Sequence, residues 1–311
     1  MSEEVAVDEA VTLKNRIRKF VPLKDFTTFH IGGSADLFLE VQTEAELLEA
    51  VQIAREEGIP AFLMGGGSNL VVSERGLSGL TIRNKSADPD KLDLENHLLT
   101  ASSGRSLGAV VELAAQHEMT GLETMIGIPG TLGGAIYGNA GAYGKCIANH
   151  LVKATLLDPA TGRVFEADNA FFRFDYRTSA LKTSNLMIIN CTLHLQSGDK
   201  ESIRAQMNDI LAQRNSKHPP LSVGSAGSFF KNLPPPPGGL RRRAAGEVLD
   251  KAGVKSMTFG GASVFEKHAN FIVNYGKATA SDVKTLAKMM RDKVIEMFNI
   301  PLEEEVLYIG R

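Results

Sequence analysis

Three segments of this chain carry residue patterns with recognisable chemistry. Gly65-Gly66-Gly67-Ser68-Asn69 sets successive unhindered backbone N–H groups side by side. Such a run can form a concave nest for an anion and lets a phosphate approach the main chain. Alone it is equally well read as a plain glycine turn. The second segment, Gly127-Ile128-Pro129-Gly130-Thr131-Leu132-Gly133-Gly134-Ala135, continues to Gly138, Gly141 and Gly144. Two glycine loops in one part of the chain can clamp a diphosphate from both sides, or lie flat against a ring. The third segment is Gly224-Ser225-Ala226-Gly227-Ser228-Phe229-Phe230-Lys231-Asn232, which groups a hydroxyl, a cation and an amide.

Standard nucleotide signatures do not fit these loops. Gly-x-Gly-x-x-Gly needs a glycine where Leu70 stands, and a P-loop ending at Gly144-Lys145 needs Gly and Ser/Thr where Asn139 and Cys146 stand. Ser228-Phe229-Phe230-Lys231 matches Ser-x-x-Lys, but the accompanying Ser-Asp-Asn and Lys-Thr-Gly motifs are absent. The 7 histidines include no His-x-x-x-His pair, which argues against a metal site, and a lone His268 reads as structural. Arg241-Arg242-Arg243 and Glu303-Glu304-Glu305 read as solvated charge runs unless a ligand lies against them.

The elements that must hold these segments are legible in outline. Thr43-Glu44-Ala45-Glu46 predicts a capping box opening a helix with Leu47, Leu48, Val51 and Ala54 on one face, stopped by Gly58 and Pro60. Ala61-Phe62-Leu63-Met64 predicts a buried strand, and Leu70-Val71-Val72 another, so the first glycine loop joins two strands rather than opening a helix. A second helix is expected over 107–117. Strands are expected over 151–157, 163–167 and 186–195, with a turn at 158–162. Ile203, Met207, Ile210 and Leu211 share a helical face, as do Val283, Leu286, Ala287, Met290, Val294 and Met297 near the end. Pro234 to Pro237 with two glycines predicts a rigid loop. The layout is mixed α and β, with a glycine-rich front and a separate C-terminal part.

Composition narrows the function classes. Of 311 residues, 43% are hydrophobic and 23% charged, which is ordinary for a folded chain and excludes intrinsic disorder. A net charge of −2 leaves no overall footprint for nucleic acid. No run approaches a membrane span, and residues 1–20 lack the features of a signal peptide. Two cysteines without a CxxC make a disulfide framework or structural zinc unexpected. The expectation is a cytoplasmic protein with small-molecule substrates, no membrane partner and no nucleic-acid partner. From the residues alone, the reading ends at a nucleotide-like diphosphate cofactor held by glycine loops, beside a second polar centre.

Eight motifs in order resemble the UDP-N-acetylenolpyruvoylglucosamine reductase family, flavoenzymes of bacterial peptidoglycan precursor synthesis. They are Thr28-Phe29-His30-Ile31-Gly32-Gly33, Met64 to Leu70, Gly127 to Ala135, Asn139-Ala140-Gly141-Ala142-Tyr143-Gly144, Asp175-Tyr176-Arg177-Thr178-Ser179, Ala226 to Asn232, His268-Ala269-Asn270-Phe271-Ile272-Val273-Asn274 and Leu302-Glu303-Glu304-Glu305-Val306. The direct passage from Asp175 to the strand near 186–195 resembles the shorter, type II form. His30, where lysine or arginine is usual, and Leu307, where arginine is usual, depart from the pattern.

The resemblance implies an α+β chain with a two-part FAD-binding domain of the vanillyl-alcohol-oxidase type and a C-terminal α+β substrate-binding domain. The implied division is an N-terminal segment (1–25), the FAD part (26–198, split near 80) and the substrate part (199–311), whose last residues return to the active site. FAD is the implied cofactor and NADPH the co-substrate. The implied FAD contacts are Gly65, Gly66, Gly67, Ser68, Asn69, Gly127, Ile128, Pro129, Gly130, Thr131, Gly133, Gly134, Ala135 and Gly141. Ser228 matches the proton donor, with Arg177 and Glu305 flanking the substrate carboxylate. Tyr176, Lys231, Asn232, His268 and Asn270 are the implied substrate contacts. An FAD oxidase of the same fold and a non-catalytic UDP-sugar-binding protein are the alternatives.

Overall fold

The structure, a computed structural model, describes residues 12–236, 238–239 and 241–311. Residues 1–11 of the acidic N-terminal segment and Pro237 of the proline run lie outside the described residues.

The front of the molecule is built on two sheets. The first orders its strands Arg18–Pro22, Ser34–Val41, Leu77–Asn84, Ala61–Met64, the last three mutually parallel. Helix Glu44–Glu56 covers it with Leu47, Ala50, Val51, Ile53 and Ala54. The second sheet is antiparallel, in the order Val164–Asp168, Leu151–Leu157, Met187–His194, Leu98–Ser102, Lys91–Asp93. Helix Leu107–Gln116 and the short helix Leu132–Gly138 bury their apolar faces in the core beneath it. The rear part pairs Gly224–Ser225, Ile272–Asn274, Ala262–Val264 and Thr258–Phe259 antiparallel, under helices Ala245–Lys251 and Ala280–Phe298.

Several local expectations meet a different outcome. The segment before residue 26 joins the first sheet instead of standing apart: Arg18–Pro22 is an edge strand with only Val21 facing inward, so no alternation marks it in the sequence. Thr43 does cap its helix, accepting from the Glu46 N–H at 3.1 Å, but the capping box does not close. The Glu46 carboxylate instead accepts from the Gln42 N–H at 2.7 Å and pairs with Arg16. Strand Ala61–Met64 is half-buried apart from Met64. The last helix buries Val283, Leu286, Ala287, Met290 and Val294, yet Met297 is 48% exposed, because the stripe rotates off the core at the final turn. Helix Lys200–Lys217 packs Ile203, Met207 and Ile210 into the core of the second sheet, not into the rear part that follows it.

The rear part is sewn to the front at the first glycine loop. Leu307–Ile309 lies parallel to Leu70–Val72, and Phe29, Ile31 and Val71 from the front enter the rear core. The Thr28 hydroxyl donates to the Ser225 carbonyl at 2.8 Å, and the Ser225 N–H to the Thr28 carbonyl at 3.0 Å.

Candidate active site

Residues 65–69 leave strand Ala61–Met64 and enter strand Leu70–Val72. None of their five N–H groups donates to a backbone carbonyl among the described residues, so the donors stay available to a ligand. Gly67 needs its glycine twice over. Its φ of +63° suits no bulky residue, and an added Cβ would sit 2.5 Å from the Phe26 carbonyl oxygen. The second loop meets the first directly. A Cβ on Gly66 would fall 2.9 Å from the Gly130 Cα, and one on Gly65 would fall 2.5 Å from the Thr131 hydroxyl. The Ser68 hydroxyl donates to the Pro129 carbonyl at 2.9 Å. Thr131 then caps the next helix by accepting from the Gly134 N–H at 3.2 Å. Side chains would fill the line of contact between the loops, and glycine keeps it open.

Not every implied contact on the second loop has that reason to be small. Gly133 lies against Ser103, Gly141 against the Lys145 carbonyl of its own hairpin, and Gly127 against Arg214 and Leu211. Ala135 is buried in the core of the second sheet. Protein packing accounts for these four positions.

The polar centre assembles from three distant segments. Asp175 and Thr178 exchange backbone hydrogen bonds of 3.2 and 3.1 Å, closing a tight turn with Arg177 at φ +56°. A non-glycine residue held there costs about 1–3 kcal/mol, so the surroundings must enforce it. Asn139 donates its amide to the Asp175 carbonyl at 2.8 Å, and Lys182 donates to the Arg177 carbonyl at 2.7 Å. The Arg177 Nε lies 2.9 Å from Glu305 Oε1. Its N–H meets no described acceptor in hydrogen-bond geometry, so the contact is a charge pairing and not an aligned bond.

Glu305 and Ser228 are brought together by main chain. The Glu305 N–H donates to the Phe229 carbonyl and the Lys231 N–H to the Glu303 carbonyl, both at 2.8 Å. Phe229 and Phe230 are buried on either side of that ladder and leave Ser228 half-buried beside Gly227. Asn69 of the first glycine loop donates its amide to the Glu305 carbonyl at 3.2 Å, which ties that loop to the polar centre. Burial pushes the Glu305 carboxyl above the ordinary glutamate value, against the opposing pull of Arg177, Lys182 and Lys231. The terminal acidic run is only partly solvated: Glu304 pairs with Arg291 at 3.2 Å and Glu305 is turned inward, while Glu303 stays exposed and pairs with Lys231.

The implied substrate contacts separate. The Tyr176 hydroxyl accepts from the Asn232 N–H at 3.2 Å, and the Arg242 guanidinium stacks 3.8 Å from the Tyr176 ring centroid. Lys231 stands beside Glu305 on the same ladder, and the Asn232 side chain accepts from the Ala245 N–H at 3.1 Å. Asn270 is only 2% exposed, and its amide both accepts from the Phe230 N–H at 2.9 Å and donates to the Phe230 carbonyl at 2.8 Å. Its side chain is committed to Phe230 on both its donor and its acceptor side, and it holds the segment that follows Ser228. His268 packs edge-on to Phe271 and near His218, and burial lowers its pKa.

Sequence reasoning missed three cations here. Lys182 lies beside Arg177. Arg214 is half-buried against Gly127, with its Nε unpaired among the described residues. Arg242 is exposed, as a solvated face should be, but it also stacks on Tyr176. Lys182 lies three residues beyond the Asp175–Ser179 motif, and no pattern in the sequence marks it. Among the described residues no cluster of three or more His, Cys, Asp or Glu could hold a metal ion, and no helix is long and apolar enough to cross a membrane.

A glycine loop with free N–H groups next to a carboxyl–guanidinium–hydroxyl centre fits a cofactor-dependent oxidoreductase of the FAD-binding class. Residues 35–168 match the family described as FAD binding domain, and residues 219–309 match the UDP-N-acetylenolpyruvoylglucosamine reductase C-terminal domain. The chain belongs to the UDP-N-acetylenolpyruvoylglucosamine reductase family. It is 37% identical to the reductase of Synechococcus sp. (strain RCC307), over 94% of each chain. It is 39% identical to that of Solibacter usitatus (strain Ellin6076), over 93% of this chain and 95% of the relative. The crystal structure of the Thermus caldophilus reductase superposes with a TM-score of 0.78 at 32% identity, covering 94% of this chain and 100% of that one. Of the three readings open to the sequence, the reductase stands.

Proposed function

We propose that Arg177, Ser228 and Glu305 carry the reduction of UDP-N-acetylenolpyruvoylglucosamine, with FAD held between residues 65–69 and 127–131 and NADPH as hydride donor. The observation that carries this assignment is the bond from Asn69 of the anion nest to the carbonyl of Glu305, which sets the polar centre at the edge of the cofactor cradle. The free N–H groups of 65–69 and the glycine-only contact between the loops fit a diphosphate and an adjacent flat ring. When bound, FAD supplies the hydride chemistry, relaying hydride from NADPH to the enolpyruvyl methylene carbon.

The chain's own residues orient the substrate and manage its charge. Arg177, held in its turn, presents a guanidinium able to pair with the substrate carboxylate bidentately. Hydride addition leaves negative charge shared between that carboxylate and the carbon next to it. Glu305 keeps its proton to a higher pH than an exposed glutamate, so it can donate to the developing oxygen charge. The Ser228 hydroxyl, next to residues 229–231 that Asn270 and residues 303–305 hold, delivers a proton to the carbon. Serine is a weak acid in water, and it serves here because its acceptor is strongly basic and held in place. Tyr176, Lys231 and Asn232 belong to the same face and are proposed to contact the UDP-sugar.

A cytoplasmic site of action and the absence of a nucleic-acid partner belong to this proposal, supported by two free cysteines and a net charge of −2. For the domain division we propose that the substrate-binding part starts after helix Lys200–Lys217, which packs with the front. The test is direct. The purified chain should carry yellow, releasable FAD, and it should convert UDP-N-acetylenolpyruvoylglucosamine to UDP-N-acetylmuramate with NADPH consumed one for one. Protein without flavin, or NADPH oxidation with no such product, would refute the reading.

A further inference from the structure

Lys182 is a half-buried cation that forms no ion pair among the described residues. Its ammonium donates to the Arg177 carbonyl at 2.7 Å and lies 6.0 Å from the Tyr137 ring centroid. Tyr137 is fixed in turn through its own carbonyl, which accepts from the Ser179 hydroxyl at 2.7 Å. Two features make this placement more than packing. Arg177 occupies left-handed backbone, φ +56°, where a side chain is disfavoured and the turn needs an external anchor. An amine could also reach solvent with its flexible stem, yet this one turns inward to a carbonyl.

Resting on the roles proposed above for Arg177 and Glu305, we infer that Lys182 is a positioning residue for the reduction: its bond to the Arg177 carbonyl fixes the turn that aims the guanidinium at the substrate carboxylate, and its charge tunes Glu305. The charged groups facing Lys182 are Arg177, Lys231, Glu303 and Glu305, and those facing Glu305 are Arg177, Lys182 and Lys231. Burial lowers the Lys182 pKa, as expected for a cation kept from water. Loss of this positive charge would let the Glu305 pKa rise further. The sign follows directly: if protonated Glu305 is the active form, the alkaline limb of the substrate step moves to higher pH without Lys182.

The experiment uses the flavin-loaded protein with Lys182→Met and Arg177→Lys, followed by stopped-flow absorbance of the flavin. Lys182→Met should leave reduction by NADPH within about twofold of wild type while slowing the step with substrate by up to about 100-fold, the scale of a misplaced reacting group. Its alkaline limb should shift upward. Wild-type rates in Lys182→Met would overturn the inference, and so would a slower step with an unmoved limb, which marks a merely structural lysine. If Lys182→Met takes up no flavin, Lys182→Gln, a neutral donor, is read by the same limb. Arg177→Lys keeps the two failures apart: if it also runs at the wild-type rate, the role of Arg177 is what fails.

Discussion

The glycine loops and the Arg177–Glu305 centre sit side by side, and they reach close contact by opposite routes. At residues 65–67 and 130 the chain omits side chains, so that two backbones touch and five N–H groups remain free. At 177 and 305 it inserts long charged side chains into a half-buried space and spends backbone regularity to aim them. The cradle therefore tolerates no added atoms, whereas the polar centre tolerates atoms but not a change of charge or direction. Gly67 shows its purpose in its own φ of +63°, while Gly65 and Gly66 owe theirs to the facing loop at Thr131 and Gly130. Arg177 and Glu305 depend on partners that are far away in the chain.

Substitutions at each region should separate them. The largest effect is expected at the cradle: Gly66→Val would force a side chain onto the Gly130 backbone, which lies 2.9 Å from the position of a Cβ. The loops would part, the protein would purify folded but colourless, and both half-reactions would be lost together. A full complement of FAD in this variant, measured by absorbance after denaturation, would break the cradle assignment. At the polar centre, Ser228→Ala should leave flavin reduction by NADPH nearly unchanged and slow reoxidation by substrate about 10²–10⁴-fold, as for removal of a positioned acid. Stopped-flow traces in which both steps slow equally would make Ser228 structural and shift the search to Glu305.

The smallest effect sharpens the contrast, because it acts through the support alone. Asn270→Ala strips partners from the buried N–H and carbonyl of Phe230, at about 1–3 kcal/mol for each unsatisfied group. Denaturant melts should show that loss, while the affinity for UDP-sugar should change little. A loss of substrate affinity without loss of stability would restore Asn270 as a ligand contact.

Much of the scaffold was legible in advance. The strand–glycine loop–strand unit, the cap at Thr43 and the helices led by Leu107 and Val283 follow from nearest neighbours, and periodicity reports those. The exceptions are instructive. The edge strand at 18–22 has one inward residue and so no pattern, and Glu46 left the capping box because Arg16 and the Gln42 N–H outcompeted the cap.

For this protein the sequence by itself determined the cofactor class, the family and the residues at which reduction is proposed to occur, because these reside in motifs that are contiguous in the chain. Only the tertiary structure decided how the motifs meet. Asn69 reaches Glu305, the segment after Ser228 is gripped by Asn270 and by residues 303–305, Lys182 anchors the Arg177 turn, and the exposed Arg242 stacks on Tyr176. Each of these contacts is made by a hydrogen bond, an ion pair or a stacked ring. The strength of such a contact depends on separation in space and on burial, and neither is set by spacing along the chain.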